Sequence, residues 1–400
     1  MTSVTSRLAM GFSCLGHFYM HFATAMFFTV ALALEQAWKM PFYEINELWT
    51  WGALFVGLAA LPAGRLADRW SARGMMALCI LGMGAAMLAS GFANGPDQIV
   101  IVLAILGIFA SIYHPVGIPW LIANAKERTG VALAVNGLFG GLGPAAAALA
   151  TGFLAEYAGW RWAFFIPGIV MVGTGVVMVL CITTGRLVST GLAEKKREAT
   201  GNQGAMRVFL ILMLTMFVAG VVYNSTQAAL PKFFSERLSG FVDGQVSHAA
   251  MLVSIVYTVA ALMQVLGGML ADRYPLKRVY AIGWGLQIAF LTALGLLSGL
   301  PVFVVALLVA STSGGTLPAE NMLLFKYAPA SHRGLAFGAK YVLAFGAAPL
   351  GLQIISFVRD RTGDFTWLFL GLAVAAFLAF IAAVMLPGVK KLPGQPVAAE

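Results

Sequence analysis

His17 and His21 stand four residues apart in an otherwise apolar run, so a helix would carry both imidazoles on one face. A third histidine, His114, lies in another apolar run. Ionisable groups inside such runs are costly to bury and mark functional positions by default. An imidazole changes charge near neutral pH, which suits these three to carrying protons; the bland alternative is a neutral ring bonded to a backbone carbonyl. Histidine pairs at this spacing can bind zinc, but no Asp, Glu or Cys at comparable depth supplies a clear further ligand, so no metal site is expected. Glu320, followed by Asn321, and Lys340 interrupt two later apolar runs. A Glu320 to Lys340 ion pair would be a buried brace, or else a site where Glu320 exchanges a proton and Lys340 attracts an anionic group. The polar run Tyr223, Asn224, Ser225, Thr226, Gln227 offers hydrogen bonds to a solute, or else satisfies backbone freed by a helix break before Pro231. Tyr113 and Trp120 are candidate aromatic wall, with packing as the alternative.

The elements that must position these groups follow from composition. The chain is 60% hydrophobic and only 10% charged, far from the soluble average of about 25% charged residues. An all-α integral membrane protein is implied. Apolar runs near 10–34, 48–67, 75–93, 98–123, 130–156 and 162–183, then near 207–230, 248–271, 279–299, 301–325, 335–357 and 367–386, predict six spans plus six. Residues 184–206 read as a polar linker between halves 1–183 and 207–400. At about 1.5 Å per residue, His17 lies about 10 Å and His21 about 16 Å into span one, and His114 about 13 Å from the far end of span four, so the three share a depth. The same reckoning puts Glu320 and Lys340 each about 9 Å from one end of spans ten and eleven.

Most of the 25 Lys and Arg residues fall on one set of alternate loops, which predicts both termini on the cytoplasmic face and accounts for the net charge of +9 without nucleic acid. The first apolar run is too long for a signal-peptide core and reads as a retained helix. Cys14, Cys79 and Cys181 are isolated in apolar runs and read as core thiols. No phosphate-loop motif implies a nucleotide, and no cofactor is expected.

Gly64-Arg65-Leu66-Ala67-Asp68-Arg69 recurs 204 residues later as Gly268-Met269-Leu270-Ala271-Asp272-Arg273, and Gly130/Gly334 and Gly159/Gly363 pair at the same shift. A parallel duplication is predicted. The first copy, with Arg73, resembles the loop signature G-x-L-A-D-R-x-G-R-K of the major facilitator superfamily of secondary transporters, with Ser71 and Ala72 where that pattern has Gly and Arg. Gly137, Gly141, Gly143 and Pro144, followed by Ala147 and Ala148, resemble that superfamily's antiporter motif, and Gly159-Trp160-Arg161-Trp162 is also similar to it. Ser111-Ile112-Tyr113-His114-Pro115 resembles a segment of fosmidomycin-resistance-type exporters, which carry an acid after the proline where this chain has Val116.

The resemblance implies twelve transmembrane helices in two six-helix repeats, with spans one, four, seven and ten lining a central cavity. It implies a conformational gate at Gly64, Asp68, Arg69, Arg73, Gly268, Asp272 and Arg273, remote from the solute. The expectation is a proton-coupled exporter of a small organic solute, a monomer in the cytoplasmic (inner) membrane, whose partners are the solute, protons and lipid. The proton-coupling candidates are His17, His21, His114 and Glu320. The solute-contact candidates are Tyr113, Trp120, Tyr223, Asn224, Gln227, Asn321 and Lys340. An uptake symporter for an organic anion or nutrient, favoured if Lys340 and Arg161 dominate, and a membrane-embedded enzyme are the alternatives.

Overall fold

In a bilayer a chain this apolar must close its backbone hydrogen bonds within each segment, and it does so as helices. The computed structural model describes residues 4–125, 129–188, 205–328 and 333–387. The first set of helices comprises α1 (Val4–Trp38), α2 (Phe42–Leu58 and Ala60–Arg69), α3 (Ala72–Gly91), α4 (Pro96–Ala125), α5 (Thr129–Tyr157) and α6 (Trp162–Thr183). The second comprises α7 (Ala205–Arg237), α8 (Val246–Arg273), α9 (Leu276–Leu296), α10 (Leu300–Tyr327), α11 (Arg333–Thr362) and α12 (Thr366–Val384). Among the described residues, eleven helices are long and apolar enough to cross a bilayer, and the α2 pair, bent by 41°, makes a twelfth. Most of the expected linker lies outside the described residues, as do Lys126, Arg128, Lys390 and Lys391.

Several helices extend beyond their apolar runs, because a helix continues into the polar headgroup layer where hydropathy no longer marks it. α1 lies along α5 and α3 along α6; in the second set α7 lies along α11 and α9 along α12. The halves meet where α5 packs on α8 and α2 packs on α11, two contacts related by the repeat. The turns before α6 and α12 obey the repeat at the level of single dihedrals. Gly159 has φ 96° and its counterpart Gly363 has φ 67°, a left-handed conformation that a side chain would strain.

One alternative falls away and two local expectations change. The helix break before Pro231 does not occur: α7 runs through it, since neighbouring backbone and side chains re-satisfy a helix opened by proline. Cys14 and Cys79 are buried, but Cys181 is only partly so, because α6 faces outward for much of its length. The charged motif is not a loop. Ala60–Arg69 is the second segment of α2, and Ser71, the departure from the family pattern, caps α3 by accepting the Gly74 N–H at 3.2 Å.

α4 is interrupted by a π-helical stretch, Tyr113–Gly117. Pro115 within it has no N–H to give to the helix ladder, and a wide turn is one way to absorb that loss. This turn holds His114.

Candidate functional site

The sequence placed three histidines at one depth; the fold also brings them to one point. Ring centroids are 5.0 Å apart for His17 and His21, 5.3 Å for His17 and His114, and 5.5 Å for His21 and His114. Their nearest set of ring nitrogens, one from each, lies within 4.8 Å of one another. Helical spacing puts His17 and His21 together on α1, and the wide turn of α4 delivers His114 against them.

Residues the sequence reading missed fix the rings. His17 Nδ1 donates to the Asn136 backbone carbonyl at 2.8 Å, so in the neutral ring the lone pair lies on Nε2. Tyr113 stacks on His17 at 4.7 Å and 13°, and its hydroxyl accepts from Asn136 Nδ2 at 2.8 Å. Gly140 makes room: a Cβ there would sit 2.4 Å from the His17 ring. Asn136 and Gly140, four residues apart on α5, had a faint sequence signal as a lone amide and a small residue one turn apart. Both nitrogens of His114 are buried without a hydrogen-bond partner.

On the other half, Glu320 and Lys340 form an ion pair at 2.8 Å with side chains only 6% and 5% exposed. Lys340 Nζ also donates to Asn321 Oδ1 at 2.5 Å, and the Tyr280 hydroxyl donates to Glu320 at 3.0 Å. Glu320 is seven residues from the end of α10 and Lys340 seven from the start of α11, so both lie about 10 Å from the end of the molecule at which α1 begins. Opposite charges at equal depth on adjacent helices satisfy each other where water cannot.

Tyr341, next to Lys340, joins the two clusters. Its ring stacks on His114 across the half interface at 4.6 Å and 23°, and Phe345, one turn on, lies 4.9 Å from the same imidazole. Its neighbour Lys340 was its sequence signal; which face of α11 would meet α4 was not legible.

The other candidates are dispersed. Trp120 is only 1% exposed, and Tyr113, within the histidine cluster, is 0% exposed. Asn224 Nδ2 donates to the Gly220 and Ala344 carbonyls, bracing α7 to α11, and Gln227 Nε2 donates to the Tyr223 hydroxyl at 3.1 Å. Arg161 lies over the Trp160 ring at 4.3 Å and donates to the Ala93 carbonyl, away from both clusters. In the α5 motif, a Cβ on Gly141 would lie 2.9 Å from Ala261 of α8, and one on Gly143 2.7 Å from the Phe18 carbonyl of α1. Pro144 is buried beside them. Gly137 departs from the expected close packing, with nothing within 4 Å of its Cβ position.

At the motif end, Asp68, Arg69, Asp272 and Arg273 are exposed, and Asp68 has no hydrogen-bond or ion-pair partner among the described residues. Arg73 Nη1 donates to the Leu187 carbonyl. A Cβ on Gly64 would touch Pro115 at 3.4 Å, whereas its repeat Gly268 faces open space. The distal end, where α1 finishes, carries ties between the halves and within the second half. Lys232 pairs with Glu35 at 2.6 Å and with Glu236 at 3.7 Å, and Glu236 pairs with Arg359 at 2.7 Å. Asn46 Nδ2 donates to the Leu352 carbonyl at 3.3 Å, and the Ser247 N–H donates to Glu156 at 3.1 Å. Apart from Lys232 and Glu236, which are one turn apart on α7, these partners are too remote in sequence to be inferred.

The sequence matches the profile of the Major Facilitator Superfamily over residues 13–244 and 241–400. It is 27% identical over 273 residues to the multidrug resistance protein MdtG of Escherichia fergusonii, covering 68% of this chain and 67% of that one. It is 38% identical over 115 residues to the puromycin resistance protein pur8 of Streptomyces alboniger; that match spans 28% of this chain and 22% of the relative's length. Among solved structures, a bacterial homolog of the human lysosomal transporter Spinster, inward-facing and occupied, superimposes with TM-score 0.72 at 16% identity, over 96% of this chain and 95% of that one. This last likeness concerns the fold.

Proposed function

The chain belongs to the Major Facilitator Superfamily of secondary transporters, and from that premise we propose that it exports a small organic solute in exchange for protons. The observation that carries the coupling is the Glu320 to Lys340 pair, 2.8 Å apart and sealed from solvent. A proton reaching Glu320 neutralises the carboxylate and frees Lys340 from its counter-charge; loss of the proton restores the pair. A site that alternates between two charge states while the halves rock is the minimum needed to link proton movement to solute movement. The groups facing Glu320 are Lys340 and Tyr280, with Tyr341 in electrostatic reach.

Export is favoured by relatives named for resistance to puromycin and to multiple drugs. The small residues of α5 that contact α1 and α8 support a reshaping interface between halves. The distal ties support an inward-facing state, with the distal end outside the cell and both termini in the cytoplasm of an inner membrane. On this reading, residues 1–183 and 207–400 rock as units joined by 184–206, in a monomer. Asp68, Asp272 and the basic residues beside them close the cytoplasmic side when Glu35 and Lys232 part. Asn321 and Lys340 are the solute contacts closest to the coupling site, and an anionic moiety suits the freed lysine.

The test is the purified chain in sealed vesicles under an imposed proton gradient, with labelled cationic, neutral and anionic compounds offered and internal pH recorded. Opposed solute and proton movement that vanishes in Glu320→Gln supports the proposal. Parallel movement makes the chain an uptake symporter, and solute flux unchanged in Glu320→Gln removes the coupling role.

A further inference from the structure

The His17, His21, His114 cluster has a geometry that the transport reading leaves unexplained. Proton carriage needs a path, with neighbours placed to pass hydrogen bonds along. Here the nitrogens of His114 have no hydrogen-bond partner, although the ring is only 7% exposed. Buried polar atoms left so are rare and call for a missing partner.

We propose that the three imidazoles form a coordination site for one divalent transition-metal ion of the zinc type, with three protein ligands and a fourth position open to exchange. A zinc to imidazole bond of about 2.05 Å puts three ring centroids of a tetrahedral set about 5.2 Å apart. The observed separations are 5.0, 5.3 and 5.5 Å. The rings are mutually inclined by 48°, 89° and 75°, as converging ligands are, and not stacked. Ligand nitrogens that lie within 4.8 Å of one another would have to close to about 3.4 Å around the ion, with His17 held and the His21 and His114 rings turning toward it.

The surroundings fit a metal as well. His17 donates Nδ1–H to the Asn136 carbonyl at 2.8 Å, the outer hydrogen bond that typically orients a ligating imidazole and leaves Nε2 for the ion. Gly140 and the Tyr113 ring hold that orientation from both sides. Lys340, the cation in electrostatic reach of His114, is already paired with Glu320 and so does not oppose a second positive charge at full strength. Neutral nitrogen ligands without a carboxylate suit zinc, copper or nickel and exclude magnesium and calcium.

The experiment uses the full chain in detergent or nanodiscs, titrated with zinc by calorimetry and with cobalt by visible absorption, whose intensity reports a tetrahedral nitrogen set. The expected result is one ion per chain. Affinity should fall about tenfold or more in each of His17→Ala, His21→Ala and His114→Ala, while His248→Ala, at the start of α8 and outside the cluster, leaves it unchanged. Gly140→Ala keeps all three ligands but displaces the His17 ring, so it should also weaken binding; the melting temperature of each metal-free variant identifies any that fail to fold. Absence of stoichiometric binding in the unmodified chain, or binding that survives loss of these histidines, overturns the proposal. Because binding is read without transport, its failure leaves the export reading standing, and failure of export leaves the site standing.

Discussion

The duplication sets two chemistries on one scaffold. Shifted by 204 residues, Glu320 falls on Val116 and Lys340 on Asn136, so the positions that form a buried ion pair in the second half hold a valine and an amide in the first. His17 and His21 fall in turn on Val221 and Ser225, so the imidazoles have no counterpart in the second half. One half carries compensated charge, and the other carries nitrogen donors without an acid. The exporters that the segment Ser111–Pro115 resembles carry an acid where Val116 stands; here the carboxylate is at the equivalent place in the other repeat. A duplicated fold thus fixes where polar groups can face the interface without fixing what they are.

That contrast is sharpest if the ion pair is broken from one side. Lys340→Ala leaves Glu320 buried without its cation and is expected to cost about 3–5 kcal/mol, seen as a large drop in melting temperature. Combining it with Glu320→Gln should restore much of the stability while proton-driven flux stays at the level of protein-free vesicles; recovered coupling in the double variant would make the pair a brace. In the other half no charge is stranded, so single histidine replacements should be milder in stability. Gly140→Ala is the exception, because a methyl 2.4 Å from the His17 ring forces repacking, at about 1–3 kcal/mol by thermal melt.

The distal ties offer smaller effects. Glu35→Gln removes the carboxylate that Lys232 holds across the halves at 2.6 Å. A partly exposed pair of this kind contributes about 1 kcal/mol or less, so a membrane-impermeant maleimide should label Ser356→Cys, a buried α11 position whose hydroxyl donates to the Tyr43 carbonyl at the start of α2, up to about fivefold faster. An unchanged rate would mean that the packing of α2 on α11, and not charge, keeps this end shut. The smallest effect belongs to Asp364, outside the membrane between α11 and α12. Partial burial pushes its carboxyl up, but Thr366, the Phe365 N–H and the Arg237 guanidinium more than offset this and hold it below the usual carboxylate range. A group lowered on folding stabilises in full above its unfolded value and loses that contribution as pH falls through its folded one. Melting temperature should therefore fall slightly less on acidification in Asp364→Asn than in the parent chain.

Much of this was legible in the residues themselves. Apolar run lengths gave the spans, and a motif with its echo gave the duplication. Helical rise put Glu320 level with Lys340 and the histidines level with one another, because depth along a helix is additive in sequence. Rotation about each helix axis is not, and it decided the rest. Asn136, Gly140, Tyr280 and Tyr341 were missed because they matter only through the face they present to another helix. Trp120 was offered as a solute contact for the same reason, and its helix turns it into the core. The Glu35, Lys232, Glu236, Arg359 network needed three helices brought together before four ordinary end charges became a tie.

The wide turn at Tyr113–Gly117 has a consequence for chain length. A π turn holds one residue more than an α turn over a similar rise, so deleting one residue there offers α4 a regular path with both ends nearly in place. Side chains on either side of the turn would then keep their height and phase, and only those within it, His114 among them, would be re-aimed. For anyone shortening or splicing this transporter, residues 113–117 are where the count of amino acids carries as much information as their identity.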